Sequence, residues 1–398
     1  MPENIISQWL NLSSVKFVNA ITNDGRTEIY LSRDRSLGFV CSNCGRVVPN
    51  TWRWRKVKIR DLSVFEFKTY LVFTKYRVNC QHCGTKVENL NFIEPCSRCT
   101  IRFEELVARL CKITTISQVA KLLELDWKTV KNIDKKYLEK QFAIPDYENL
   151  RLIAVDEISS RKGYNFFTVV MNLEKTKVIW VGKERKKETL DQFFKELGPQ
   201  RAKQIEAVAM DMWDPYISST KEHAPQAEVV FDKFHVIKTY SQVIDKVRND
   251  EFHKAEKEYK EIIKGTKYLL LKNACNLKKD QKRDLRILLN VNENINLTYI
   301  LKDDLKRLWD YKYPGCAERF LDSWISRAIS SGIQPLIAFA ITLDKHRNGL
   351  ISHCRYNIDT AKLEGMNNKI KVIKRMAYGF HDDDYFILKI KQGCGGFP

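Results

Sequence analysis

Two short apolar runs in this chain each end in an aspartate, and that repetition narrows the folds open to it. Leu152, Ile153, Ala154 and Val155 run into Asp156, and Ala207, Val208, Ala209 and Met210 run into Asp211. A carboxylate that closes a buried run is costly unless something pairs with it or a metal binds it. Between the two runs lie strand-like segments at Asn165–Leu173 and Lys177–Val181. A helical stretch follows over Lys186–Leu197, with Leu190, Phe193, Phe194 and Leu197 at helical spacing. The order is strand, strand, strand, helix, strand. If the first and fourth strands are neighbours in one sheet, Asp156 and Asp211 meet at its edge. Facing carboxylates repel unless a cation sits between them, and Mg²⁺ prefers such an all-oxygen setting.

A third carboxylate is expected on a helix. Thr360–Arg375 carries an apolar stripe of Leu363, Met366, Ile370 and Ile373, with Glu364 beside it. Lys371 is two helical turns on from Glu364 and shares nearly the same face, so a carboxylate for metal and a cation for phosphate point at one spot. Glu157 and Asp214 are alternates for the two aspartates, but only Asp156 and Asp211 follow directly on an apolar run. A further strand, Ala227–Phe231, ends at Asp232, with His235 just beyond.

The stretches AVDEISSRKGYNFFTVV, VAMDMWDPY, VVFDKFHVIK and LEGMNNKIKVIKRMAYGF, in this order and spacing, resemble the DDE transposases of the bacterial ISL-three insertion-sequence family. The likeness extends over nearly the whole chain. It implies an α/β, RNase H-like catalytic domain in which Asp156, Asp211 and Glu364 hold two Mg²⁺ (or Mn²⁺) ions per active site. The D-x-F-H patch is a hallmark of that family. Asp232 and His235, with Lys371, are accessory residues that position the scissile phosphate or a leaving oxygen. The bland reading of His235 is an imidazole bonded to a neighbouring carbonyl. The implied chemistry is water attack at the element's end, then attack of the freed 3′ hydroxyl on target DNA.

The N-terminal region reads as a metal-bound β module. Cys41-Ser-Asn-Cys44-Gly and Cys80-Gln-His-Cys83-Gly are two knuckles whose four thiolates suit one structural, tetrahedral Zn²⁺. Strand-like runs Trp52–Ile59 and Phe67–Val78 lie between them, so the spacing is long for a four-cysteine site and an insertion must loop out. Cys96 and Cys99 bind a second ion with His82, replace one knuckle, or are free. The hairpin interleaves Trp52 and Trp54 with Arg53, Arg55, Lys56 and Lys58, which suits nucleic acid. Its bland alternative is a solvated face with two core tryptophans. A short helix is expected over Ile5–Leu12. Helices at Ser117–Glu124 and Trp127–Leu138 resemble a helix-turn-helix, with stripes of Val119, Leu122 and Leu123 and of Val130, Ile133 and Tyr137. Lys128, Thr129, Lys131 and Asn132 then face DNA, and Phe142–Asn149 is a linker.

Five segments follow: a zinc-binding module over 1–100, a helix-turn-helix over 101–145, the first catalytic part over 146–235, an all-helical insertion over 236–350, and the second catalytic part over 351–398. The insertion offers DNA and subunit contacts. Its Trp309 and Trp324 either stack on an unpaired base or, more ordinarily, pack the core. The basic turn of Lys183, Arg185, Lys186 and Lys187 either touches DNA backbone or is simply solvated. A net charge of +19 over 398 residues favours a polyanionic partner. The resemblance implies that this partner is double-stranded DNA, as terminal inverted repeats and as target, bound by a homodimer. No apolar run is long enough to span a bilayer, and the N-terminus lacks a signal peptide. Eleven cysteines, several in C-x-x-C pairs, suit metal in a reducing compartment. The expected location is the cytoplasm of a bacterium, at the nucleoid. Rival readings are an RNase H-like nuclease or resolvase, against which the DNA-reading modules argue, and a domesticated DNA-binding protein, against which the intact acids argue.

Overall fold

The structure is a computed structural model. It describes residues 8, 10–49, 51–159, 166–356, 358 and 361–395. The start of the helix expected from Ile5, and Asn165 and Thr360 at the ends of two expected elements, lie outside these residues. The chain divides into two compact units, Met1–Gln141 and Phe142–Pro398.

The first unit is a sheet followed by three helices. β1 (Val15–Asn23), β2 (Arg26–Arg33), β5 (Thr51–Arg60) and β6 (Lys68–Cys80) take the order β1-β2-β6-β5, and β7 (Gly84–Val87) also pairs with β6. β3 (Phe39–Val40) and β4 (Val47–Val48) form a separate small hairpin. The strands form because alternate residues are apolar. Ile29, Leu31, Ile59, Leu71 and Phe73 pack with Leu90, Phe92 and Ile93 on one face. Arg33 and Glu88 make a buried ion pair at 2.9 Å, with Arg33 also donating to the carbonyls of Ser14, Asp34 and Gly38. Asp61, at the end of β5, accepts hydrogen bonds from Thr100 and Arg102, each at 2.7 Å. This ties the sheet to α1 (Ile101–Ile113), which Thr100 caps.

α2 (Ile116–Leu123) begins at a capping box of Thr115 and Gln118, and stops where Glu124 turns into the left-handed region at φ 50°. α3 (Trp127–Gln141) follows after three residues, with Asp126 accepting from the Lys128 amide at 2.9 Å. Val130, Ile133 and Tyr137 face the small core with Val119, as the spacing predicts. Leu122 does not: it is exposed, and Ala120 and Leu123 complete the stripe with Val119. In so short a helix one position of phase decides which leucine is inside.

In the second unit a five-stranded sheet takes the order β10-β9-β8-β11-β12, from β8 (Leu152–Ser159), β9 (Phe166–Asn172), β10 (Lys177–Lys183), β11 (Ala207–Met210) and β12 (Glu228–Phe231). β8, β9 and β10 are antiparallel neighbours, while β8, β11 and β12 run parallel. The first and fourth strands are therefore neighbours. α4 (Lys187–Leu197) and α5 (Asp214–His223) make the crossovers. α6 (Lys233–Lys254), α7 (Lys279–Val291), α8 (Glu293–Lys306), α9 (Pro314–Ser330) and α10 (Gln334–Lys345) then form an almost unbroken helical region with shorter helices between them. The chain returns with α11 (Ala361–Met376) and α12 (Asp383–Cys394).

Side chains alternate across the sheet, so its two faces belong to two cores. Ile153, Val155, Val208 and Met210 join α4, α5 and the helical region in one core. Ala154, Ile158 and Ala209 join Leu363, Met366, Ile370, Phe386 and Ile390 of α11 and α12 in the other. The segment expected as a linker is partly anchored. Tyr147 is buried, with its ring edge-on to Phe193 at 6.1 Å, because two apolar residues, Tyr147 and Leu150, precede β8. Trp324 is wholly buried and donates its indole N–H to the Leu301 carbonyl at 2.9 Å, which rules out the base-stacking alternative for this residue. Trp309 is half-buried, with the Lys233 ammonium 5.5 Å from its ring centre.

Candidate functional site

Register explains how the acids meet. Ala154 pairs with Ala209 between β8 and β11, and two residues further along each strand stand Asp156 and Asp211. Met210 pairs with Phe231 between β11 and β12, and one residue further stand Asp211 and Asp232. Three aspartates thus line up across three neighbouring parallel strands. By alternation, Asp156 shares the face of Ala154 and Ile158, the face that α11 covers.

One expectation is corrected here. Asp156 does not end its strand. β8 continues to Ser159, because β9 goes on pairing with it from Asp156↔Val169 to Ser159↔Phe166. What ends near Asp156 is the pairing with β11, whose last partner in β8 is Ala154. Asp211 and Asp232 do lie just past the ends of β11 and β12.

Asp156, Asp211 and His235 bring their ligand atoms within 4.8 Å of one another. The His235 Nδ1 lies 2.6 Å from an Asp211 oxygen and 2.8 Å from an Asp232 oxygen, so the imidazole bridges two acids and not a backbone carbonyl. Burial pulls this imidazole down, but its bonds to Asp211 and Asp232 outweigh that and push it up to about 10. Asp232 also caps α6, accepting from the Phe234 amide at 2.9 Å. Asp156 is buried; burial first, and the Asp211 charge second, raise its carboxyl above the usual range. A buried acid whose carboxyl is raised by a half-buried acid beside it, with oxygens as the main donors, fits a divalent cation.

α11 faces this row. Asn367 donates its side-chain amide to Asp156, a contact the sequence reading missed. The signal was available, since Asn367 lies three residues after Glu364 and four before Lys371, on the same helical face. Glu364 is exposed in the first turn of α11, and Lys371 is exposed and within 3.5 Å of the Asn368 side-chain oxygen.

Glu157 points by alternation to the opposite face from Asp156 and pairs with Arg185 at 2.8 Å. Burial pushes its carboxyl up to about 7 despite that partner. The Arg185 guanidinium also lies 4.1 Å from the Trp213 ring centre. Asp214 is engaged with Lys345 at 2.7 Å. The other members of the basic turn are paired as well: Lys183 with Asp384, Lys186 with Glu184, and Lys187 with Asp191 and Glu222. Asp191, Glu222 and His223 form a further cluster that the sequence did not suggest, and the Lys187 ammonium, 2.9 Å and 2.7 Å from its two carboxylates, already supplies a cation there.

In the first unit Cys41, Cys44, Cys80 and Cys83 bring their sulfurs within 4.8 Å of one another. Gly45 and Gly84 take positive φ, 70° and 68°, as tight knuckles need. The His82 and Cys83 amides pull the Cys80 thiol down to about 6, toward the thiolate a metal binds. The residues between the knuckles are β5 and most of β6. Cys96 is exposed and Cys99 buried, neither joins a metal-ligand group among the described residues, and His82 faces Arg46.

The bland reading of the hairpin fails for its tryptophans. Trp52 is exposed, and half-buried Trp54 has Arg55 and Arg77 at 4.3 Å and 5.1 Å from its ring centre. Arg53, Arg55, Lys56 and Lys58 are exposed, with Lys58 paired to Glu28 and Lys56 5.0 Å from the Tyr30 ring centre. On α3, Lys128, Thr129 and Asn132 are exposed and Lys131 is half-buried.

Comparisons with known proteins agree along the chain. Residues 153–390 match a family profile described as a transposase. Residues 88–138 match the helix-turn-helix domain of transposase family ISL3, and residues 38–83 match the zinc-finger of transposase IS204/IS1001/IS1096/IS1165. The chain is 37% identical over 377 residues to the transposase for insertion sequence element IS1001 of Bordetella parapertussis, covering 94% of this chain and 93% of that protein. It is 26% identical over 404 residues to the transposase for insertion sequence element IS1557 of Mycobacterium tuberculosis, covering 94% and 90%. The zinc-finger match and the four-cysteine cluster together support a structural zinc.

Proposed function

The chain belongs to transposase family ISL3, and from that premise we propose that it cuts and joins DNA by metal-dependent chemistry at the row of acids on its second unit. The observation that carries this reading is the placement of Asp156 and Asp211 side by side on neighbouring parallel strands, with their ligand atoms within 4.8 Å. The strand order, with three antiparallel and two further parallel strands, supports an RNase H-like fold. On this reading the helical region over 236–350 is an insertion between catalytic parts at 146–235 and 351–398, preceded by a zinc module over 1–100 and a helix-turn-helix over 101–145.

Asp156, Asp211 and Glu364 would hold the metal, Mg²⁺ or Mn²⁺, which when bound would supply charge stabilisation to the attacking and leaving oxygens. Asn367 fixes one oxygen of Asp156, leaving the carboxylate aimed. Asp232 orients His235, whose Nδ1 holds a proton beside Asp211. Lys371, on the same helical face as Glu364, meets a phosphate. Water attacks the phosphodiester at the end of the element and displaces its 3′ hydroxyl, which then attacks a target phosphodiester and displaces the target's own 3′ hydroxyl.

End recognition belongs to the first unit. Base contacts carry specificity and phosphate contacts carry affinity. α3 with Lys128, Thr129, Lys131 and Asn132 enters the major groove, and the hairpin of Arg53, Arg55, Lys56 and Lys58 meets the backbone. The DNA complex is a homodimer on the terminal inverted repeats, formed in the bacterial cytoplasm at the nucleoid. Among the described residues no helix is long and apolar enough to cross a membrane.

The test uses the full chain, a labelled duplex of the element's end, and Mg²⁺. Asp156→Asn, Asp211→Asn and Glu364→Gln should each bind the end as wild type does and fail to cut it. Normal cleavage by Glu364→Gln would place the third ligand elsewhere. Normal cleavage by Asp156→Asn would remove the chemistry from this site altogether.

A further inference from the structure

Beside the row of acids stands an aromatic ring left out of the core. Phe234 is the second residue of α6 and is 54% exposed. The buried residues of that helix are Val236, Tyr240, Ile244 and Val247. Phe234 lies about 160° around the helix from Val236, on the side away from the core.

A single exposed aromatic is ordinary on a protein surface. This one differs in where it is held. Its amide donates to the Asp232 carboxylate at 2.9 Å, so its backbone is fixed by one of the acids. Its ring centre is 5.9 Å from that of His235, at 89°, and the His235 Nδ1 is 2.6 Å from Asp211. One side chain therefore separates the ring from the proposed cutting site. The acids themselves repel a phosphate backbone until metal neutralises them. Beyond the one cation assigned to a phosphate there, Lys371, a DNA strand gains from an attraction that is not charge. A phenyl ring supplies it, because every base has a π face and stacking tolerates any sequence.

We propose that Phe234 touches the substrate, stacking on the base of the nucleotide next to the scissile phosphate once that base is unpaired. The inference rests on the reading of Asp156 and Asp211 as the cutting site. Its occupant is a DNA strand; a protein partner on this ring is the competing outcome.

The experiment binds full-length protein to the element's end duplex carrying 2-aminopurine at the nucleotide next to the cleavage position, without divalent metal. Wild type should change the fluorescence. At protein concentrations that saturate the duplex, Phe234→Ala should abolish the change and Phe234→Trp should retain it. With Mg²⁺ added, Phe234→Ala should cut the paired duplex about tenfold or more slowly, the scale of one lost base–aromatic stack. A mismatch at the same nucleotide should restore much of that rate. The proposal is overturned if Phe234→Ala gives the wild-type fluorescence change, or if it cuts the paired duplex at the wild-type rate. A protein partner on this ring would give both of those results. The two readings fail separately. Cleavage by Asp156→Asn would strike the cutting site, whereas an unmoved fluorescence signal in Phe234→Ala, with Asp156→Asn inactive, strikes only this inference.

Discussion

The chain has two sets of candidate metal ligands, and they relate to the fold in opposite ways. Cys41, Cys44, Cys80 and Cys83 sit on two glycine turns, over a small cluster of Phe39, Val48, Tyr76 and Val78. Asp156, Asp211 and Asp232 stand at the end of a sheet packed on both faces. The cysteine site has little apolar burial of its own to hold the turns together, so a bound ion is part of its folding energy. The acid row is held by burial elsewhere and is a local liability, since burial and the nearby Asp211 charge both disfavour the charge on Asp156. On the proposed reading, one metal makes structure and the other is given a structure.

The largest effect that sharpens this contrast is in turnover. Replacing Asp156 by Asn keeps the shape and removes a charge, so cleavage should fall by about a hundred- to a thousandfold or more. The melting temperature of the metal-free protein should hold or rise, because the burial cost of the Asp156 charge and its repulsion by Asp211 are relieved. Calorimetry beside the cleavage assay reads both quantities. A fall of several degrees would show that Asp156 supports the fold, and the contrast would break.

Zinc removal should do the reverse. Cys80→Ser, or a strong chelator, should leave residues up to about 100 open to protease while residues 142–398 stay resistant. Zinc content should drop with the loss of resistance. A metal-free protein whose first unit is as resistant as wild type would show that the Arg33–Glu88 pair and the sheet suffice without metal.

The sequence made the sites legible unevenly, for physical reasons. Strands with four apolar residues in a row, and acids placed just past them, could be read directly, as could the knuckles. Long-range register could not. Nothing local reveals that β9 keeps pairing beyond Asp156, or that Asn367 reaches it from a helix 211 residues away. Charge runs were also opaque. Lys183, Arg185, Lys186 and Lys187 look like a DNA contact in sequence, but each is matched by an acid: Glu184 and Asp191 are near in sequence, while Asp384 and Glu157 come close to Lys183 and Arg185 only through the fold.

Within the first unit, a smaller effect separates reading from holding. Asn132→Ala on α3 should cost about 1–3 kcal/mol of preference for the terminal repeat and relax it at one base pair. Lys128→Ala should weaken all duplexes alike and reduce the salt slope by about one. Competition binding at two salt concentrations distinguishes them. Equal loss on both duplexes for Asn132→Ala would move base reading off this helix.

The smallest effect concerns a charge that the second unit buries without any metal. Lys302 on α8 is almost wholly enclosed, and its ammonium donates to the carbonyls of Leu270 and Lys272 at 2.6 Å and 3.2 Å, with the Tyr299 ring centre 4.2 Å away. Burial pulls its pKa down to about 8. An unfolded lysine keeps its proton to about pH 10.4, so between these values the unfolded chain binds more protons than the folded one. Stability must then rise with pH across that window, and the full cost of the charge is present below it. From pH 7.5 to 9.5 the gain should be on the order of 1 kcal/mol, or about 2–4 °C in Tm for a unit of this size. Lys302→Met has no proton to release, so the difference between wild-type and variant melting temperatures should shift in favour of wild type as pH rises. Other groups titrate in both proteins and cancel in that difference. Parallel curves would mean that water reaches the ammonium, and that the helical core does not by its packing alone hold what the first unit holds with zinc.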